Sequence, residues 1–277
     1  MQIIGTGSVT YLLLSGISVH RNISVNENVE LQPADTSHLD FNTAISTCSH
    51  PDDIAVVAAF IPRISAQFRI TAPSSKELAI AAWNSSWDAL LLSAIFHTEI
   101  GFNLQSDTPA NEISSASHLC ATNHHMHGLF NHQPYNLTED DLTWVESNFS
   151  AAKNLLHDDR FQTSVHCLAS YRWHTMPRIQ LAVLWAGIEG MFGASSEIRF
   201  RISLCIARFL YPHAETERRE AFETIKKLYD SRSAAVHGAR GKGDMKSAVD
   251  RSADILCKLI LQCIDNRATP RENELVP

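Results

Sequence analysis

The sequence predicts an α+β protein in two parts: a strand-containing N-terminal region with one buried helix, and a C-terminal all-α helical bundle. Three observations predict it. The first fifty residues alternate short β-branched runs with Gly and Asn. After Pro134 the apolar residues recur at the +3/+4 spacing of a helix face. With 277 residues, 44% apolar and 19% charged, the chain has ample core material and is neither disordered nor low-complexity.

Taken in order, residues 8–14, 17–20, 23–25 and 29–31 read as strands, and 67–71 adds another. Residues 75–97 read as a helix that places Ile80, Trp83, Trp87, Leu90 and Ala94 on one face. It is apolar on its other faces too, so deep packing is expected, with the Trp83/Trp87 pair in the core rather than serving as a stacking platform for bases. From Gly101 to Pro134 periodicity fails, and the segment reads as a long connection with one strand at 101–105. Thr138 then caps a helix whose first turn holds Glu139, Asp140 and Asp141, where carboxylates meet the positive end of the dipole. Its stripe is Leu142, Val145, Phe149, Ala152 and Leu156. Further helices are expected at 161–171, 179–192, 198–210, 215–236 and 245–264, the last with Val249, Ala253, Leu256, Ile260 and Cys263 on one side. The domain boundary is placed between 134 and 135.

Six cysteines lie far apart without a C-x-x-C pair, which suits isolated thiols in a reducing, cytoplasmic setting. Met1–Leu14 lacks the basic start of a signal peptide, and no segment reaches the ~18 consecutive apolar residues of a membrane span. His118, Cys120, His124, His125, His127 and His132 form the densest group of soft ligands, and three or four converging would hold zinc. They carry no metalloprotease or paired-Cys spacing, so the segment reads as a loop without metal. No phosphate-binding glycine loop, dinucleotide fingerprint or nucleophile elbow occurs, which leaves nucleotide-hydrolysing, dinucleotide-dependent and serine-hydrolase chemistries unsupported.

The net charge of −7 seems to argue against a nucleic-acid partner, but it averages two unlike parts. Residues 197–251 contain 12 Lys/Arg and 8 Asp/Glu, a net of +4, while the rest of the chain holds 11 and 22, a net of −11. The basic segment points either to an anionic partner or to a solvated helical face laced with ion pairs.

Within that segment one residue breaks its pattern. The 215–236 helix carries Phe222, Ile225, Tyr229, Arg232 and Val236 as its stripe, and the fourth member is an arginine. A guanidinium in an apolar seam needs a partner, either a carboxylate from a neighbouring helix, with Glu189 the obvious one, or an anionic ligand. His237 follows five residues later, about 140° further around an ideal helix, and Gly238 ends the helix. The negative end of the helix dipole there favours imidazolium. Ser233 shares the face of His237, and Arg240 and Lys242 follow in the loop.

The stretch Leu228-Tyr-Asp-Ser-Arg-Ser-Ala-Ala-Val-His-Gly238 resembles the R-x4-6-H signature of HEPN domains, in their Apea-like branch. Leu184-Trp-Ala-Gly-Ile-Glu-Gly-Met-Phe192 and Arg199-Phe-Arg-Ile-Ser-Leu204 are similar to that branch's earlier helices, so the resemblance covers roughly 160–265. Glu30-Leu-Gln-Pro33 loosely resembles the N-terminal part of longer members. The resemblance implies a HEPN-type homodimer in which two motifs meet to form a metal-independent, cofactor-free endoribonuclease site. It also implies a prokaryotic stress or anti-phage defence effector with RNA as partner. On that reading His237 is the general acid or base, Arg232 grips the phosphate and Ser233 orients either group. Glu189 and Asp230 support them, and Arg199, Arg201, Arg240 and Lys242 contact RNA. Ser233 stands where many nuclease members carry Asn, Asp or His, and it offers a hydrogen bond but no charge. No tyrosine lies two residues after His237, unlike members silenced by nucleotidylation there. The competing class is a non-catalytic HEPN module that binds RNA or nucleotide, or serves as a dimerisation scaffold.

Overall fold

The computed structural model describes residues 7–48, 50–125, 133–193, 198–236 and 244–276. It is α+β, strand-rich at the N-terminal end and helical at the C-terminal end. The chain forms two compact units, one of residues 1–92 with 98–150, the other of 93–97 with 151–277.

The first unit is built on strands β1 (Val9–Ser15), β2 (Ile17–Ser18), β3 (Ile23–Asn26), β4 (Val29–Pro33), β5 (Ile64–Thr71), β6 (Gly101–Ser106), β7 (Leu119–Ala121) and β8 (Tyr135–Asn136). Six of them make an antiparallel sheet in the order β3-β4-β5-β1-β6-β7. The central β1 pairs Leu12 with Phe68 and Leu13 with Leu104. Its Leu12-Leu13-Leu14 run is buried throughout, as a strand covered on both faces requires. The register breaks at Ser15 beside Gly16, where φ is +83° and a Cβ would collide with the Glu99 carbonyl, so only glycine fits. Two short helices, α1 (Phe41–Ser46) and α2 (Ile54–Phe60), contribute Ala44, Val56, Val57 and Phe60 to a core with Leu13 and Leu104.

Helix α3 (Ser75–Ile95) corrects the expected packing. Ile80 is 53% and Trp83 50% exposed, while Leu78, Ala82, Ser85 and Ala89 are buried. Of the face expected to be buried, Leu90 and Ala94 are buried, whereas Ile80 and Trp83 in the N-terminal half of the helix face outward. Only from Asp88 to Ile95 is every residue of the helix buried. By length and composition it could cross a membrane, yet 61% of its most apolar window is buried inside the protein.

Helix α4 (Glu139–Leu155) has the expected cap and stripe: the Asp141 amide donates to Thr138 Oγ1 at 3.2 Å, and Leu142, Val145, Phe149 and Ala152 are buried. Read from sequence as the first bundle helix, it has its residues up to Ser150 in the first unit. Arg21 explains this, pairing with Glu139 at 2.7 Å and Glu146 at 2.9 Å, while β8 pairs with β2 just before the helix. Such long-range ion pairs leave no periodic mark in the sequence.

The second unit contains α5 (Asp159–Ser170), α6 (Pro177–Phe192), α7 (Ile198–Leu210), α8 (Glu215–Val236), α9 (Met245–Asn266) and α10 (Glu272–Leu275). Helix α6 is the hub, packing on α5, α8 and α9, and α7 packs on α8. Gly187 makes this possible: a Cβ there would lie 2.9 Å from Cys167 Cβ and 3.1 Å from Leu256 Cδ2. Val249, Ala253, Leu256, Ile260 and Cys263 of α9 are all buried, as their spacing predicts. Burial raises the Cys205 thiol to about 11 and the Cys263 thiol to about 12, so both are neutral packing groups. The C-terminal segment is fastened by side chains: Arg160 to Thr269 at 3.0 Å, Arg201 to Glu272, and Arg208 to the Leu275 carbonyl.

Candidate functional site

Helix α8 buries Ile225, Leu228 and Ala235, and Arg232 completes this +3/+4/+3 series. The arginine therefore sits on the seam, as expected, but with Leu228 and Ala235 as its neighbours. Tyr229 is half-buried, and Val236, expected on the stripe, is exposed. The seam is turned slightly because Trp185 of α6, fully buried, meets Tyr229 edge-on at 5.3 Å and fills the space beside it. The Trp185 indole donates to Ser252 Oγ at 3.0 Å, tying α6 to α9 as well.

Arg232 meets Glu189 of α6. Nη2 donates to Oε2 at 3.0 Å, and Nε lies 3.0 Å from Oε1 without the alignment of a hydrogen bond. The side chains are 22% and 23% exposed, so the pair is shielded but not sealed from water. The guanidinium carbon stands 5.6 Å from the Tyr229 ring centroid, which gives the cation an aromatic wall. Burial pushes the Glu189 carboxyl above the usual carboxylate range, and the positive charge of Arg232 only partly offsets this. Burial with Glu189 nearby likewise raises the Tyr229 phenol. Among the described residues Nη1 of Arg232 has no hydrogen-bond acceptor. Ser233, half-buried on the next position, makes no side-chain hydrogen bond among them either. His237, Arg240 and Lys242 lie outside the described residues.

The remaining residues expected at the site divide differently. Asp230 pairs with Arg199 at 2.6 Å across α7 and α8, both well exposed. Arg201 is engaged by Glu272. Each of these α7 cations is thus already matched to a carboxylate. Among the described cations without a carboxylate partner, Arg208, Arg218 and Arg219 line one cavity between α7 and α8. Sequence reasoning passed over them. Their sole signal was the basic excess of residues 197–251, which does not tell a paired arginine from an unpaired one.

The histidine-rich segment is held by acids from elsewhere in the first unit. His124 Nε2 lies 2.9 Å from the fully buried Asp53, which also accepts from the Ala121 amide, and His118 Nδ1 lies 2.8 Å from Asp107. Among the described residues no three His, Cys, Asp or Glu side chains converge as a metal site. His127 and His132 fall outside them. Part of this segment is β7, a strand that the expected long connection lacked. Its three residues are too short to show alternation.

Comparison with protein-family profiles, curated proteins and solved structures finds no match to this chain.

Proposed function

We propose that the C-terminal unit is a HEPN-type ribonuclease module, active as a homodimer on RNA and acting in a reducing, cytoplasmic compartment as a stress or defence effector. The observation that carries this reading is the state of Arg232. It is a permanently charged fork in an apolar seam, braced by Glu189 through one hydrogen bond at Nη2 and an ion-pair contact at Nε, with Nη1 unclaimed among the described residues and part of the side chain in water. Bracing fixes the orientation of the guanidinium before a ligand arrives, which suits it to a phosphoryl oxygen. RNA supplies its own nucleophile in the 2′-OH, so the protein need only move protons and stabilise charge on phosphorus. In the proposed reaction His237 takes the 2′-OH proton, the oxygen attacks phosphorus, and the 5′ oxygen leaves with a proton from the histidine of the second copy. The products are a 2′,3′-cyclic phosphate and a 5′-OH.

A second reading rests on Glu189. It already neutralises Arg232, so the pair can serve as a polar clasp between α6 and α8 in a non-catalytic scaffold. Metal-free RNA cleavage in EDTA, with Arg232→Ala, Arg232→Lys and His237→Ala compared with the intact protein, separates the two. The nuclease reading expects cleavage that each of the three variants reduces at least a hundredfold. The clasp reading expects no cleavage from any of them.

A further inference from the structure

The segment after α9 is anchored well at one end and lightly at the other. At the near end Pro270 is buried, its carbonyl accepts from Arg160 Nη1 at 3.4 Å, and Thr269 donates to Asp158 at 2.6 Å. Beyond Arg271 the chain forms α10, which packs on α7 yet buries none of its own residues, Leu275 being only half-buried. A helix of four residues with no buried side chain gains little from apolar packing. Polar contacts hold it in place: Glu272 meets Arg201 Nε, and the Leu275 carbonyl accepts from Arg208 Nη1. The Arg201 and Glu272 side chains are 30% and 24% exposed, so water and salt reach the pair and screen it.

These contacts fall on one side of α7. Arg201, Leu204 and Arg208 stand at i, i+3 and i+7, all half-buried, while Ile202, Cys205 and Ile206 face the core. Seven residues of helix separate the two arginines by about 10.5 Å along the axis. Glu272 offers them a carboxylate oxygen and Leu275 a carbonyl oxygen, acceptors that a phosphodiester oxygen replaces on a guanidinium. A single phosphate does not span that distance, whereas a phosphodiester strand does. Leu275 also borders the cavity lined by Arg218 and Arg219, so lifting α10 adds Arg201 and Arg208 to an already basic surface.

We infer that α10 is an autoinhibitory strap, which occupies through Glu272 and the Leu275 carbonyl the α7 arginines that take phosphates of an RNA strand. RNA binds tightly only when the strap lifts about its anchor at Thr269 and Pro270. This inference rests on the RNA reading proposed above and adds its regulation.

Fluorescence anisotropy tests it in EDTA, with a labelled ten-nucleotide 2′-O-methyl oligouridylate that has no free 2′-OH to react. A chain ending at Arg271 should bind at least tenfold more tightly than the 277-residue chain at about 50 mM KCl. Its log–log salt slope up to about 300 mM should be steeper by about 1.4, the value for two further phosphates neutralised on a single strand. Glu272→Gln keeps the strap but removes its ion pair, and should tighten binding at least threefold. Glu274→Gln removes the same charge from the same helix, yet Glu274 pairs with Arg271 rather than with α7, so its affinity should stay within twofold of the unaltered chain. Arg201→Ala/Arg208→Ala in the shortened chain should return it to the affinity of the 277-residue chain. Circular-dichroism melts check that each variant is folded. The strap is overturned, with the RNA reading left standing, if the 277-residue chain binds the oligonucleotide and neither the shortened chain nor Glu272→Gln binds it more tightly. It is equally overturned if Glu274→Gln tightens binding as much as Glu272→Gln. If no form binds the oligonucleotide, strap and RNA reading fall together.

Discussion

Replacing Arg232 with alanine should destabilise the protein in a way that depends on pH. Breaking a buried ion pair by removing one partner costs roughly 3–5 kcal/mol. Here one of the two 3.0 Å contacts is a directional hydrogen bond and about a fifth of each side chain is exposed, so screening reduces the figure to about 2 kcal/mol. The 5.6 Å contact with Tyr229 adds about 0.5 kcal/mol. The cost comes mainly from leaving Glu189 charged without its counter-ion. Burial already raises the Glu189 carboxyl, and losing Arg232 removes the effect that lowered it. In the variant, therefore, the native state holds a proton that the unfolded chain releases above about pH 4.3. With more protons bound in the native state, stability falls as pH rises, by up to about 1.4 kcal/mol per pH unit through that window. Arg232→Ala should thus cost about 2.5 kcal/mol at pH 7.5 and about 1 kcal/mol or less at pH 5. Glu189→Gln, which cannot titrate, should cost about 1–2 kcal/mol with little change between the two. Urea denaturation followed by circular dichroism at both pH values measures this. An equal cost for Arg232→Ala at the two pH values, or a cost under about 0.5 kcal/mol at pH 7.5, would refute the reasoning.

Three other expectations concern the scaffold. Asp158 is lowered to about 2: burial opposes ionisation, but hydrogen bonds from Arg160 and Thr269 outweigh it. The stability this supplies is present above pH 4 and lost as pH falls toward 2. It amounts to about 1 kcal/mol after discounting for solvent, so urea titrations at pH 7 and pH 2 should show Asp158→Asn destabilised at the first and level with wild type at the second. Gly187→Ala drives a methyl into Cys167 and Leu256 and should lower stability by about 1–3 kcal/mol, seen as a lower Tm; an unchanged Tm would mean that α5, α6 and α9 are less tightly packed than described. Trp83→Ala, at a half-exposed position, should cost under about 1 kcal/mol, whereas a loss of 3 kcal/mol or more would restore Trp83 to the core.

The helices of the second unit were legible because long amphipathic segments repeat their signal over several turns. The limits read for 198–210 and 215–236 coincide with α7 and α8. The strands of β1 to β6 were legible from β-branched runs and glycine punctuation. Five elements were not: α1, α2, β7, β8 and α10 span two to seven residues each, shorter than the window in which either periodicity can show. Helix α3 was recognised, but its buried face was misjudged. Ile80 and Trp83 were placed in the core and are exposed, whereas Leu90 and Ala94 of the same expected face are buried. At the site, Arg232 stood out because a charge interrupting an apolar seam demands an explanation, and Glu189 was the carboxylate within helical reach. The pairing of Arg199 with Asp230 and of Arg201 with Glu272 was not readable, since it depends on which helices lie side by side.

The most direct test of the account is a time course of RNA cleavage in EDTA by the unaltered 277-residue chain, its Arg232→Ala variant and its His237→Ala variant, with the product ends determined. The account predicts that the intact protein yields fragments with 2′,3′-cyclic phosphate and 5′-OH ends and that each variant is slower by at least a hundredfold. Intact RNA after incubation with the unaltered protein, or equal cleavage by all three, would contradict it.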